Sequence, residues 1–362
     1  MYKILKSPDR FETVAARRLL ERLPVDSWID DIINSDNKRL FINGTLAAIS
    51  AEPSLKQSYQ VLAKVSEFME SYIDDAEFID LLRVVQLAMV AGKVDPTRVP
   101  AFAEQIKSEF PSGSGILNRE LARVMAYLKI GGLENRLQDY LKNSTDSQED
   151  KVHVAMYLQT IGSKLDAAER IALIDFLEQA KLIPGGGSYK LYLTRALTDL
   201  SATLTDDQIQ TVLENGANWP TALIQAYYKL PTTLDQETIE TLIKTDKELV
   251  QKQNVEKARL GIVALLGRNR DATSAEYLRK LWEQEPDRRS HIAIGLAQHP
   301  TPESWPHLVS SLPVLDDLSS IEVMERLTEI NLRPKTPHFY HCLLYTSPSP
   351  RDATLSRMPS SA

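Results

Sequence analysis

The feature that most constrains this chain is an internal repeat, because residues 261–312 read as the same helical unit written twice. Ile262, Leu266 and Leu278 stand 30 residues ahead of Ile292, Leu296 and Leu308, and the break Arg270-Asp271-Ala272-Thr273 falls where His299-Pro300-Thr301-Pro302 falls. A helix, a polar break and a second helix recurring at such a period mark an α-solenoid, in which each helical hairpin has an apolar flank that only the adjoining hairpin can cover. The expected fold is therefore all-α, a stack of antiparallel helix pairs. No segment alternates apolar and polar residues between hairpin turns, so no strand is expected.

The same kind of unit is legible near the amino terminus. Residues 11–23 place Val14, Ala15, Leu19, Leu20 and Leu23 along one helical face, with Asp9 as the expected cap. Pro8-Asp9-Arg10 followed by Ala15 parallels Pro286-Asp287-Arg288 followed by Ala293, a small residue where two helices would approach closely. A proline and a tryptophan follow each, Pro24 and Trp28 in one, Pro302 and Trp305 in the other. Between these ends, helices are expected at 38–51, 55–72 and 75–91, from Asp95-Pro96 to Phe110, and at 118–130, 134–141, 148–161, 189–204, 209–214, 221–230, 237–245 and 255–266. Gly92 is placed as a left-handed C-cap. Asp166 with Glu169 and Thr205 with Gln208 have capping-box spacing. Leu19, Ile262, Leu266, Leu296 and Leu308 are the expected core positions.

Composition narrows the function. Of 362 residues, 43% are hydrophobic and 25% charged, enough to bury a substantial core. Forty-two basic against 49 acidic side chains leave a net charge of −7, which disfavours a non-specific polyanion binder. Cys342 is the only thiol, so there is no intrachain disulfide and no cysteine zinc site. No apolar run is long enough to span a bilayer, and the first residues lack the apolar core of a signal peptide. Residues 1–337 read as one repeat array. The Ser-, Pro- and Arg-rich stretch 338–362 reads as a disordered, non-native tail resembling translated adapter or vector sequence, with the natural protein continuing past about residue 338.

Several patterns invite a chemical reading. Gly185-Gly186-Gly187 precedes a helix, but it lacks phosphate-loop spacing and a preceding strand, so a flexible turn is expected. His291, His299 and His307 recur at eight-residue intervals with prolines between them, and His338, His341 and Cys342 lie beside the suspected tail, so no metal site is assigned. The acidic pairs Asp30-Asp31, Asp74-Asp75, Asp206-Asp207 and Asp316-Asp317 sit at helix starts, where capping explains them. No catalytic constellation is present, and the expectation is a non-enzyme with no cofactor in this chain. The one electrostatic asymmetry is basic: Lys252, Lys257, Arg259, Arg268, Arg270, Arg279, Lys280, Arg288 and Arg289. Interleaved acids favour a salt-bridged, solvated face over a phosphate track, with nucleic-acid binding as the alternative.

The segments PDRFETVAARRLL and PDRRSHIAIGLA resemble HEAT-type repeats. The runs GGGSYKLYLTRALTDL, ENGANWPTALIQAYYKLP and WPHLVSSLPVLDD resemble the helical section of large secreted bacterial haem-binding proteins. In that family a dehydrogenase-like β-propeller precedes the helical array and a CxxCH cytochrome c domain follows it. The chain has neither CxxCH nor propeller strands, so the resemblance assigns haem binding and dehydrogenase activity to no residue here. It implies a scaffold or spacer within a periplasmic or secreted redox protein, contacting other proteins or neighbouring domains of the same polypeptide; residues alone assign no location.

Overall fold

The structure is a computed structural model and describes residues 1–161 and 165–329. Among the described residues the chain forms twenty α-helices and no strand. It divides into two compact units, Met1–Ile183 and Pro184–Ala362.

The first unit contains α1 (Tyr2–Leu5), α2 (Arg10–Leu20), α3 (Ile29–Ile33), α4 (Lys38–Ala51), α5 (Leu55–Met69), α6 (Asp75–Ala91), α7 (Pro100–Glu109), α8 (Gly115–Leu128), α9 (Leu133–Asn143), α10 (Gln148–Thr160) and α11 (Ala167–Ala180). Helices this short are marginal alone in water, so each depends on capping and on neighbours. Side chains of Asp9, Asn37, Asp74, Ser114, Ser147 and Asp166 accept first-turn amides of α2, α4, α6, α8, α10 and α11. Both expected capping boxes are present, at Asp166 and at Thr205. Packing follows a rule of alternation. α2 lies on α4, α4 on α6, α6 on α8 and α8 on α10, while α3, α5 and α7 form a second row. Helix α6, sandwiched between α4 and α8, buries Leu81, Leu82, Val84, Val85, Ala88 and Met89, as expected for the most apolar segment.

The second unit repeats the scheme with α12 (Gly187–Ser201), α13 (Asp206–Glu214), α14 (Pro220–Tyr227), α15 (Gln236–Leu249), α16 (Glu256–Arg268), α17 (Ala272–Gln284), α18 (Arg289–Gln298), α19 (Trp305–Ser311) and α20 (Asp317–Glu329). One row runs α12, α14, α16, α18, α20, and another α13, α15, α17. The sequence repeat maps onto this packing: Ile262 and Ile292, Leu266 and Leu296, Leu278 and Leu308 are all buried. A side chain that accepts the amide three residues on recurs in the same register, although only Asp271 is a helix N-cap, and α19 starts at its N-cap Ser304 without a side-chain cap bond. Asp271 accepts the Ser274 amide at 2.8 Å, and 30 residues on Thr301 accepts the Ser304 amide at 3.3 Å. Where α16 crosses α18 the backbones nearly touch, since a Cβ on Gly267 would sit 2.5 Å from the Gly295 carbonyl oxygen.

Three expectations near the first unit's start and middle are corrected. Leu19 is 53% exposed, because the inward stripe of α2 is Thr13, Ala16 and Leu20, and Leu19 lies a full 100° turn from Leu20. Ala15 is exposed as well, unlike its counterpart Ala293, and Asp287 makes no capping bond while Asp9 does, so the two similar segments pack differently. Gly92 is right-handed at φ −82°, and the left-handed residue is Lys93 at φ 54°. Glycine is needed at 92 for another reason: a Cβ there would overlap the Ser58 hydroxyl of α5.

Leu296→Ala should lower the unfolding free energy by about 2–5 kcal/mol, as for a buried leucine, while Leu19→Ala should stay within about 0.5 kcal/mol. Gly267→Ala should also destabilise, because the obstruction is backbone and cannot rotate away. Denaturant titrations of the three variants check this ranking.

Candidate functional site

The basic residues of 252–289 do not form one surface. Arg259 is buried between α15 and α17, so it leaves the candidate set for polyanion contact. Arg268 donates to the Pro231 carbonyl at 2.9 Å, Arg279 reaches the Ser304 hydroxyl at 3.4 Å, and Lys280 pairs with Glu276 at 2.5 Å. Arg289 stacks on the Trp282 ring at 4.2 Å and donates to the Trp282 carbonyl. Lys252 donates to the Ala217 carbonyl and to Asn218. Lys257 and Arg270 have no bonding partner among the described residues, and they lie at opposite ends of α16, roughly 20 Å apart along its axis. Arg270 stands at the lip of a groove of about 490 Å³ formed where α16 and α18 end and α17 begins, with Leu278, Leu296 and His299 in its walls.

Arg259 instead centres a buried ionic network. Its guanidinium clasps the fully buried Asp246 of α15 through Nε at 2.8 Å and Nη2 at 3.0 Å. Nη2 also donates to Glu285 Oε1 at 2.7 Å, and Arg288 donates to Glu285 Oε2 at 2.7 Å. The Tyr277 hydroxyl gives Asp246 a further bond at 2.7 Å. Burial works against the Glu285 charge, yet Arg259 and Arg288 hold its carboxyl below the usual range. Burial first, then the Asp246 charge, pushes the Tyr277 and Tyr227 hydroxyls well above the usual phenol range. A buried charge this completely bonded ties α15, α16 and α17 together; stripped of one partner it would be strongly unfavourable.

The first unit carries an organised polar network along α6, α8 and α10. Glu120 on α8 accepts from Gln86 at 2.7 Å and from Arg123 at 3.0 Å, and Arg83 approaches at 3.4 Å. Arg123 also donates to Gln86 Oε1 at 3.1 Å and to the Tyr157 hydroxyl at 2.5 Å. Arg119 pairs with Asp150, which Ser147 also contacts. Burial, then the charges of Arg119 and Arg123, lowers the His153 pKa below the ordinary histidine value, so its imidazole is neutral at physiological pH. Beside this ladder runs a groove of about 430 Å³ between α4 and α6. Ile42, Leu46, Val84 and Leu87 give it apolar walls, and Arg39, Glu77, Asp80 and Arg83 a rim of both signs. Bonds from one layer to the next span 34 residues in the sequence, from Gln86 to Glu120 and from Arg123 to Tyr157, and that spacing was the available but unread signal for this surface.

Capping holds for two of the four acidic pairs, whereas Asp30, Asp31, Asp206 and Asp207 lie in the first turns of α3 and α13, whose N-caps are Trp28 and Thr205. Asp74 and Asp316 accept first-turn amides, and Asp31 accepts from the Tyr2 hydroxyl. His299 bonds the Arg268 carbonyl, and His307 packs edge-on to Trp282 with Glu283 at 3.3 Å. Among the described residues no group of three His, Cys, Asp or Glu side chains could hold a metal ion. His338, His341 and Cys342 lie outside the described residues. Gly186 caps α12 without a side-chain bond. Among the described residues no helix is long and apolar enough to cross a membrane. No protein-family model matches the chain, and no curated protein matches it by sequence.

Asp246→Asn should cost on the order of 3–5 kcal/mol, because Arg259 is left buried beside a neutral amide. The network also sets a pH dependence. Tyrosines whose folded pKa lies above the unfolded value near 10 contribute stability that is complete below about pH 10 and lost as pH rises beyond it. Tyr277→Phe should make that alkaline loss shallower in denaturant titrations across the pH range. An unchanged slope would show that Tyr277 ionises as freely in the folded state as in the unfolded one. Glu285 acts in the opposite sense, its contribution present above its unfolded value and lost as pH falls through the depressed folded one.

Proposed function

We propose that this chain is a non-catalytic helical-repeat scaffold on which other proteins, or neighbouring domains of the same polypeptide, dock. The observation that carries this reading is the α4–α6 groove with the bonded ladder beside it. Apolar walls inside a rim of arginines and carboxylates match the make-up of a protein-binding surface, an apolar centre with a polar, arginine-containing border. Arg83 and Glu120 tie the groove wall to the next layer, so little ordering entropy is lost when something binds. The even-on-even stacking within each unit supports a HEAT-like repeat, and the HEAT-type wording of the sequence is in keeping with it. The resemblance to secreted haem-binding proteins extends the proposal: the docked elements would be the redox domains of a larger extracytoplasmic polypeptide.

The alternative, a nucleic-acid-binding array, retains Lys257 and Arg270 as unengaged cations of the 252–289 cluster, too few for a continuous phosphate track.

A photo-reactive residue at position 87 should form a discrete adduct with the docked protein. Binding of that protein, once purified, should weaken by about tenfold or more for Leu87→Asp and be unchanged for Arg270→Glu. Equal affinity of the Leu87→Asp variant would remove the groove from the interface. Saturable binding of an oligonucleotide that falls steeply with salt and is lost in Arg270→Glu would favour the alternative.

A further inference from the structure

Among the described residues two outward helix faces are left bare by the stacking rule, and they are complementary. Helix α2 uses Thr13, Ala16 and Leu20 against α4 and the rest of its own layer. Its opposite side carries Phe11, Val14 and Arg18, the spacing of a second stripe on the same helix, with Arg22 in the turn just beyond. Phe11 is 79% exposed. Helix α20 buries Val323 and Leu327 and packs on α18. Its opposite side carries Leu318, Ile321 and Glu325, with Leu318 also 79% exposed. A constant offset of 307 residues sets Phe11 against Leu318, Val14 against Ile321 and Arg18 against Glu325. Apolar residues would thus meet apolar ones, and an arginine a glutamate.

Net charge points the same way. Residues 1–23 hold six basic and three acidic side chains, in a protein whose total is −7. Residues 316–329 hold five acidic side chains and one basic. Arg22, Glu322 and Glu325 form no ion pair among the described residues. Arg18 is paired with Glu21 on its own helix at 2.7 Å, an exposed contact of the kind that exchanges readily for another carboxylate. Both helices belong to the even-numbered rows, in which α2, α4, α6, α8 and α10 follow one another in one unit and α12 to α20 in the other.

From these observations we propose that α20 of one copy of this protein docks on α2 of a second copy, adding one more even-on-even layer between two molecules. The contact is heterologous, a tail on a head, so each molecule that uses one face still offers the other. Two copies joined through their α2 faces would bring Arg18 and Arg22 against themselves, which disfavours a symmetric dimer. The interface is confined to single helix faces, so association is weak and rises with concentration.

The test is sedimentation velocity of the full chain from micromolar to millimolar concentration. The average mass should climb with concentration and fall back with added salt. Phe11→Glu and Ile321→Lys, both surface changes, should each abolish association alone, whereas their mixture should give a one-to-one dimer that grows no further. Arg18→Glu and Glu325→Arg should each weaken association by about tenfold or more, and the double variant should restore it. Circular dichroism confirms that the variants are folded. Monomer at every concentration overturns the proposal and leaves both faces to another occupant. Association retained by Phe11→Glu or Ile321→Lys alone, or no dimer in the mixture, overturns it equally.

Discussion

Everything in this protein depends on apolar stripes that a single helix cannot hide. Among the described residues its helices run from four to 17 residues, too short to persist on propensity alone. While α9, α11 and α19 lean on the adjacent helix, most gain stability by laying a stripe on the helix two places along. That choice of neighbour follows from the chain's short connections. Consecutive helices turn back on each other, so the next helix pointing the same way is the one after. The result in each unit is a row in which every element answers to local neighbours, the arrangement in which stability is approximately a sum over layers.

Polar chemistry has been recruited into the same task. Asp246, buried without access to water, would be a severe liability unless Arg259 and Tyr277 met it, and the three come from three successive helices. Asn118 plays a comparable part in the first unit, bonding the Ser112 backbone and Asp146, whose carboxyl also accepts the Tyr140 hydroxyl. Side chains that look on paper like an electrostatic site are thus partly the fasteners between layers. What remains for recognition is the outer surface of the rows, where Arg39, Arg83 and Leu87 are carried on helices whose inner faces are already committed.

How much of this could be read from the residues differs between the two ends of the chain. The 30-residue register of 261–312 was readable because equivalent core positions share it, and the amide-accepting side chains of Asp271 and Thr301 fall in step with them. Along the even row of the first unit, bonds between layers span 31 to 38 residues, and a fixed period fades into drift. Leu19 illustrates a different limit. Helix α2 has two apolar sides, and periodicity cannot say which one faces inward; the choice falls to Thr13 and Ala16, a polar and a small residue that fit close against a neighbour. The basic cluster shows a third limit, since a sequence shows charges but not which of them, like Arg259, a carboxylate 13 positions away has drawn inside. The Gln86, Glu120, Arg123 and Tyr157 ladder has no local motif at all, because its members meet only through stacking.

The crossing of α16 and α18 has a mechanical consequence. At Gly267 the main chain rests on the main chain of Gly295, with the Val263 and Leu278 side chains close beside it, so the contact leaves little room for the layers to slide when they are strained. A joint of that kind is stiff. Any flexing of the second unit under load would concentrate in layers separated by long side chains, such as the one that Trp282 and Arg289 fill, leaving the glycine crossing as a fixed pivot.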